Sequence, residues 1–205
     1  MKKNGNLIVI SGPSGVGKST LVKRAMAVLP ELRFSVSCTT RSPREGEVDG
    51  VAYHFLSDSE FTAKLDAGEF LEHANVFKHR YGTLKSEVLN RIKAGEDVLL
   101  DIDVQGAKQI RAAAENDPEI RAAAQFIIIA PPSLDTIRER LTARNSETPE
   151  QLEIRVNGAL AELKNFRIYD FMVVNDDLDT AADELIAVLK ALKLRTVNIQ
   201  EEPFI

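Results

Sequence analysis

The sequence predicts an α/β fold in which a parallel sheet is flanked by helices and interrupted by an inserted subdomain and a helical lid. Three observations support this. Short apolar runs recur at residues 7–10, 98–103, 126–130 and 171–174, each bounded by turn or helix signals, as buried strands are. The segments between these runs have helical periodicity, and strands alternating with helices pair in parallel. With 205 residues and 44% apolar content the chain can build one sizeable core.

The first strand, Leu7-Ile8-Val9-Ile10, runs into Gly12-Pro13-Ser14-Gly15-Val16-Gly17-Lys18-Ser19. This is the pattern of a phosphate-cradling loop, and residues 19–29 after it have apolar positions at helical spacing. The glycines let the backbone turn tightly beside a phosphate chain, and the helix N-terminus beneath favours the anion. Lys18 is expected to hold β- and γ-phosphates. The Ser19 hydroxyl is expected on Mg²⁺, a hard cation that prefers oxygen ligands and keeps several waters.

Residues 35–90 break the alternation with short alternating runs such as Val51-Ala52-Tyr53-His54-Phe55, and are expected to form the inserted subdomain. Within it, Thr39-Thr40-Arg41-Ser42-Pro43-Arg44-Glu45-Gly46-Glu47, then Gly50 and Tyr53, bring two arginines and several hydroxyls into a turn-rich segment. The arginine fork matches phosphate oxygens in pairs, and a tyrosine adds a donor without charge. The same residues also suit a solvated loop with ion pairs to Glu45 and Glu47, and their chemistry alone does not decide between the two.

Asp101 ends the strand that begins at Val98, where it can orient Mg²⁺ or Lys18. Asp103 suits both an N-cap for the helix beginning near Val104 and a ligand contact. Residues 112–114 and 122–124 flank Asp117-Pro118, which predicts a helix, a turn and a second short helical piece. The polar, arginine-bearing residues 133–167 are expected to form the lid. Arg140 and Arg144 lie four apart on a predicted helix, where like charges repel unless an anion compensates. After Pro149, the positions of Leu152, Val156, Leu160 and Leu163 predict a helix that packs back on the core with Arg155 on another face. The core then comprises about 6–34, 91–132 and 168–194.

These motifs together resemble the guanylate kinase family. The resemblance rests on the glycine loop, Ser37, T-T-R-x-P-R-x-G-E, Gly50 and Tyr53. It continues through Phe70-Leu71-Glu72-His73-Ala74, Tyr81-Gly82-Thr83, Asp101-Ile102-Asp103-Val104-Gln105-Gly106, Pro131-Pro132-Ser133 and Val174-Asn175-Asp176-Asp177, over roughly residues 6–190. It implies a P-loop kinase core with a GMP-binding insertion and an arginine-bearing lid in one domain spanning 1–205. It implies transfer of the ATP γ-phosphate to GMP, with dGMP as an expected second acceptor, giving ADP and GDP for GMP recycling and GTP supply. Carried over by motif position, Gly12 through Ser19, Thr20 and Asn175 meet ATP. Arg41, Arg44, Tyr53 and Tyr81 hold the GMP phosphate, Ser37, Glu72 and Thr83 meet the base, and Asp103 lies near the acceptor. Lys18, Arg44, Asp101, Arg144 and Arg155 serve the transfer, with Arg140 a weaker lid candidate. Where many relatives carry a Gly-Asn-like pair before Tyr-Gly, this chain has Lys78-His79-Arg80, whose added charge is expected to be solvated.

The net charge of −5 offers no broad basic surface for nucleic acid or anionic lipid. No apolar run approaches the ~20 residues that span a bilayer. The single Cys38 cannot form an internal disulfide and suits a reducing, cytoplasmic setting. His54, His73 and His79 lack metal-ligand spacing. The tail Glu201-Glu202-Pro203-Phe204-Ile205 lies beyond the resemblance and suits either a frayed end or a contact in a homo-oligomer.

Overall fold

The structure, a computed structural model, describes residues 2–76, 78–143 and 148–200. In chain order the elements begin with strand β1 (Leu7–Ser11), helix α1 (Lys18–Val28), β2 (Arg33–Phe34), β3 (Cys38–Thr39), β4 (His54–Phe55), α2 (Asp58–Asp66), β5 (Phe70–Val76), β6 (His79–Leu84) and α3 (Lys85–Lys93). They continue with β7 (Val98–Asp101), α4 (Val104–Asn116), α5 (Pro118–Ala123), β8 (Ala124–Ala130), α6 (Leu134–Thr142), α7 (Pro149–Leu163), β9 (Phe171–Val174) and α8 (Leu178–Leu192).

Five strands form one sheet in the order β2-β7-β1-β8-β9, every neighbouring pair parallel. Its central strands β1, β7 and β8 are almost wholly apolar and buried because both faces are covered, and the two-residue period of the pleat divides them, whereas the edge strand β2 is exposed. Ile8, Ile10, Leu99, Ile127 and Ile129 face one layer, where Leu21 and Ala25 of α1 and Leu185 and Leu189 of α8 meet them. Leu7, Val9, Val98, Leu100 and Phe126 face the other layer, against Val88 and Ile92 of α3, Ala107 and Ile110 of α4 and Ile120 of α5. β1 sits at the centre, between β7 and β8; its own connection leads to β2 on one side of the sheet, while those of β7 and β8 lead to β8 and β9 on the other, so the loop after β1 opens where the strand order reverses. That is where open parallel sheets bind ligands.

A second sheet of four strands, in the order β4-β3-β6-β5, has its own small core of Cys38, Phe61 and Phe70, with the two phenyl rings stacked 4.4 Å apart. It joins the first through β5, whose Leu71 is buried against the α3–α4 side of the main core. Between Phe70 and Glu72 the register with β6 shifts, so Glu72 pairs directly with Thr83.

The four expected strands are present, with β8 beginning two residues earlier than its apolar run suggested and β7 ending at Asp101. Asp117 closes α4 and caps α5, its carboxylate accepting from the Glu119 and Ile120 amides, which gives the expected helix, turn and short helical piece. One packing expectation is corrected. α7 does not lie back on the main core; Leu152, Val156 and Ala159 pack with Ile137 and Leu141 of α6 in a separate cluster, and Leu160 is exposed. The apolar stripe of α7 has a partner in α6, which the spacing of its own residues cannot reveal. Arg144 and the tail 201–205 lie outside the described residues.

Candidate active site

The glycine loop leaves β1 at the sheet's carboxyl edge and ends as the N-terminus of α1. Gly15 and Gly17 take left-handed φ of 85° and 91°, and Gly17 is the N-cap of α1. Any Cβ at Gly17 would come within 2.4 Å of Asn175 Nδ2, so glycine is required there twice over, by conformation and by space. Val16 is buried, while Ser19 and Thr20 are exposed at the helix start. Pro13 closes the loop by accepting from the Val16 amide at 3.3 Å, and Ser14 is exposed beside it. Gly12 has a different constraint, a close approach to the Ile129 carbonyl that leaves no room for a Cβ.

Asn175 follows β9 and is buried. Its Nδ2 donates to the Val16 carbonyl at 2.7 Å, and its Oδ1 has no hydrogen-bond partner among the described residues. Arg140 of α6 donates to the Asn175 carbonyl at 2.9 Å, which ties α6 to the loop and to the segment after β9. Gly15, Gly17, Thr20, Arg140, Asn175, Asp176 and Leu178 together line a cavity of about 380 Å³. Sequence reasoning ranked Arg140 low among the arginines; the structure places it against the loop. Arg155 lies on the exposed face of α7, one position before buried Val156.

Lys18 and Asp101 form an ion pair across the gap between α1 and the end of β7, with side chains 19% and 24% exposed, so each keeps a path to solvent or ligand. Asp101 also lines a second cavity, of about 220 Å³, with Ser37, Tyr53, Glu72, Tyr81, Ile102 and Asp103. The pair therefore links the loop to a second site. Asp103 N-caps α4 as expected, accepting from the amides of Gln105 and Gly106 at 2.9 Å each, and also lines that cavity.

At the base of the second cavity Glu72 is only 6% exposed. Thr83, fully buried on the neighbouring strand, donates its hydroxyl to Glu72 Oε1 at 2.7 Å, and Ser37 Oγ lies 3.5 Å from the same hydroxyl. Burial pushes the Glu72 carboxyl above the usual carboxylate range; the Thr83 hydrogen bond opposes this and the charge of Asp103 adds to it. Glu72 is thus not the surface carboxylate of an ordinary edge strand.

At the mouth, Tyr53 and Tyr81 meet edge to face with centroids 5.9 Å apart, and the Arg41 guanidinium lies 5.5 Å from the Tyr53 ring. Arg41 also makes a two-pronged pair with Glu47 at 2.9 Å per bond, and Glu47 in turn accepts from the Arg44 amide at 2.7 Å. This pairing raises the Arg41 pKa and holds the Glu47 carboxyl below its ordinary range. Glu47, read from residue chemistry as a surface ion-pair partner and as the last residue of the T-T-R-x-P-R-x-G-E motif, thus links the Arg41 side chain to the Arg44 backbone. Arg44 is exposed at the same rim. Beyond the rim, the expectation of solvation for Arg80 is corrected. It bonds Asp58 Oδ1 and Thr62 Oγ1, each at 3.0 Å, and lies 4.6 Å above the Phe61 ring, which fastens β6 to α2.

Among the described residues no group of three or more His, Cys, Asp or Glu side chains is placed to hold a metal ion, and no helix is long and apolar enough to cross a membrane.

One cavity beside the phosphate loop and one around a buried carboxylate, with the Lys18–Asp101 pair reaching from the loop to the edge of the second, suit two nucleotides meeting end to end. The sequence model of the family described as guanylate kinase matches residues 4–192. The chain belongs to the guanylate kinase family. It is 46% identical over 197 residues to a guanylate kinase of Symbiobacterium thermophilum, covering 96% of this chain and 90% of that one. It is 42% identical over 197 residues to one of Coxiella burnetii, covering 96% and 92%. The crystal structure of guanylate kinase from Anaplasma phagocytophilum has a TM-score of 0.71 against this chain at 31% identity, with 96% of this chain and 90% of that one covered. Family membership and the separate geometry of the two cavities point to the same class of kinase.

Proposed function

We propose that the chain is an ATP:GMP phosphotransferase, converting ATP and GMP to ADP and GDP, with dGMP as a second acceptor. The observation that carries this reading is Glu72, a buried carboxylate at the base of the second cavity. Guanine presents N1–H and the 2-amino group as adjacent donors that one carboxylate accepts together. Adenine has an acceptor at N1 and no 2-amino group, so it would leave the buried oxygens unpaired, a mismatch that can discriminate by roughly 10⁴. Ser37 lines the same cavity and Thr83 holds Glu72 beside it, Tyr53 and Tyr81 line its mouth, and Arg41 lies over the Tyr53 ring with Glu47 joining it to the Arg44 amide, where the acceptor phosphate would lie.

ATP then occupies the loop side. Backbone amides from Gly12 to Thr20 cradle the phosphates, and Lys18 exchanges Asp101 for β- and γ-oxygens. Asn175 Oδ1 offers its unpartnered acceptor to a ligand N–H. The exposed hydroxyl of Ser19, at the start of α1, would help hold Mg²⁺, a hard cation that takes oxygen ligands. Bound there, Mg²⁺ neutralises charge on the phosphates. Asp101, freed from Lys18, orients the polar groups around them.

Transfer needs little covalent help from the protein. A GMP phosphate oxygen forms a bond to the γ-phosphorus as the bond from that phosphorus to the β-bridging oxygen breaks, and ADP leaves with that electron pair. Lys18, Arg44, Arg144 and Arg155, with Arg140 against the loop, balance the charge on the group in flight. The four-stranded sheet serves as the acceptor subdomain and the α6–α7 pair as a lid; closing both excludes water that would otherwise hydrolyse ATP. The reaction belongs in the cytoplasm, where ATP and GMP are both available, and neither nucleic acid nor membrane is a partner.

The test is a coupled assay for ADP formation from MgATP with GMP, AMP, UMP and dTMP offered separately, beside Glu72→Gln. GMP-dependent turnover that collapses in the variant is the expected result. ATP binding without ADP formation on any acceptor would overturn the assignment in favour of a nucleotide-binding module.

A further inference from the structure

α4 lies against the strand that carries Glu72, and two of its residues touch that strand in ways that packing alone does not require. Gln109 makes a pair of hydrogen bonds to the main chain of His73, the residue after Glu72: its Oε1 accepts from the His73 amide at 3.0 Å and its Nε2 donates to the His73 carbonyl at 2.8 Å. A side-chain amide that satisfies both backbone groups of one residue fixes that residue's position along and across the strand. One turn earlier, Gly106 faces the carboxylate itself. A Cβ there would lie 3.0 Å from Glu72 Oε2 and 3.1 Å from Ile102 Cδ1. Gly106 and Gln109 are three apart, so they share one face of the helix.

We propose that this face of α4 is a positioning device for Glu72: Gln109 sets the height of β5, and the bare backbone at Gly106 leaves the space that Oε2 occupies. The proposal rests on the reading of Glu72 as the acceptor for guanine. The carboxylate is thereby bracketed on two sides. Thr83 holds Oε1 from the neighbouring strand, and the bare backbone at Gly106 leaves the room on the helix side that Oε2 occupies. Two adjacent donors on a planar base require both oxygens in one plane at one height, so a displacement of a few tenths of an ångström weakens both bonds at once. α4 belongs to the main core through Ala107 and Ile110, while β5 and β6 belong to the four-stranded sheet. The base-reading carboxylate is therefore registered against the main core through α4 as well as held within its own sheet by Thr83.

The test is steady-state kinetics with MgATP and either GMP or IMP, which lacks the 2-amino donor, on Gln109→Leu, Gly106→Ala, His73→Ala and Glu72→Gln, with thermal midpoints measured in parallel. Gln109→Leu is expected to raise the GMP KM about fivefold and Gly106→Ala about tenfold, in line with the loss of one or two charge-assisted contacts. The ATP KM and the saturated kcat stay within about twofold, and the preference for GMP over IMP falls in both variants. His73→Ala leaves all four unchanged, because Gln109 bonds the main chain there. An unchanged GMP KM in both α4 variants, or ATP and GMP KM rising together with a lowered midpoint, would overturn the positioning role while leaving the reading of Glu72 intact. An unchanged GMP KM in Glu72→Gln would overturn the reading of Glu72 and the positioning role with it.

Discussion

Thr83 donates its hydroxyl to Glu72 Oε1 at 2.7 Å from the strand directly opposite, at a point where the pairing register shifts. The bond is short, buried and charge-assisted, so the carboxylate is held ready before any base arrives. Its environment is also costly. Burial and the nearby charge of Asp103 both favour the protonated carboxyl, and the Thr83 hydroxyl only partly offsets them.

A pH dependence of acceptor affinity follows. Once Glu72 takes a proton it loses an acceptor oxygen, so the GMP KM should rise as pH falls, beginning above the range of an ordinary glutamate. The measurement is KM for GMP against pH at saturating MgATP, with Glu72→Gln alongside. The variant keeps any inflection due to the GMP phosphate itself and lacks the one due to Glu72; identical profiles in the two proteins would rule this out.

The same shift has a consequence for stability, opposite in sign to that of a salt-bridged acid. Because the folded Glu72 carboxyl holds its proton to higher pH than the unfolded one, the native state binds more protons between those two values, and stability falls as pH rises through them. Glu72→Gln removes the titration. Its thermal midpoint relative to the parent should therefore rise from acidic to neutral pH, even as GMP turnover is lost. A midpoint difference that is flat with pH would show that Glu72 carries no such cost.

Gly17→Ala should disable the loop. The φ of 91° costs a residue with a Cβ about 1–2 kcal/mol, and the methyl would displace Asn175 Nδ2 from the Val16 carbonyl. Both effects distort the start of α1, where the phosphates would bind. Isothermal titration with ATP should show binding lost or weakened by at least about tenfold, with the overall fold retained by circular dichroism. Unaltered ATP affinity would mean the loop tolerates a regular helix start.

What the sequence made legible was local. The glycine loop, the acidic end of β7 and the Asp103 cap each depend on neighbours within a few residues, and Lys18 meets Asp101 because the loop that leaves β1 and the end of β7 emerge together at the carboxyl edge of adjacent parallel strands. Glu72 was harder, because a register shift between Phe70 and Glu72 breaks the alternation by which strand faces are read. The pairing of α7 with α6, the Glu47 grip on Arg41 and the Gln109–His73 clasp were not legible from residue chemistry, because each joins segments whose proximity only the folded chain creates.

Arg80 tests that distinction at one residue. Its charge could have served the acceptor phosphate, but its guanidinium is turned toward α2, bonding Asp58 and Thr62 and lying over Phe61. The contact with Phe61 extends the small core of the four-stranded sheet outward, and Asp58 sits in the first turn of α2. Arg80→Ala should therefore cost about 1 kcal/mol, from the ring contact and a half-exposed ion pair, and lower the thermal midpoint by about 2–4 °C. The GMP KM should stay within about twofold, because the guanidinium does not line the second cavity. A large rise in GMP KM at an unchanged midpoint would reverse the assignment and place Arg80 among the phosphate ligands.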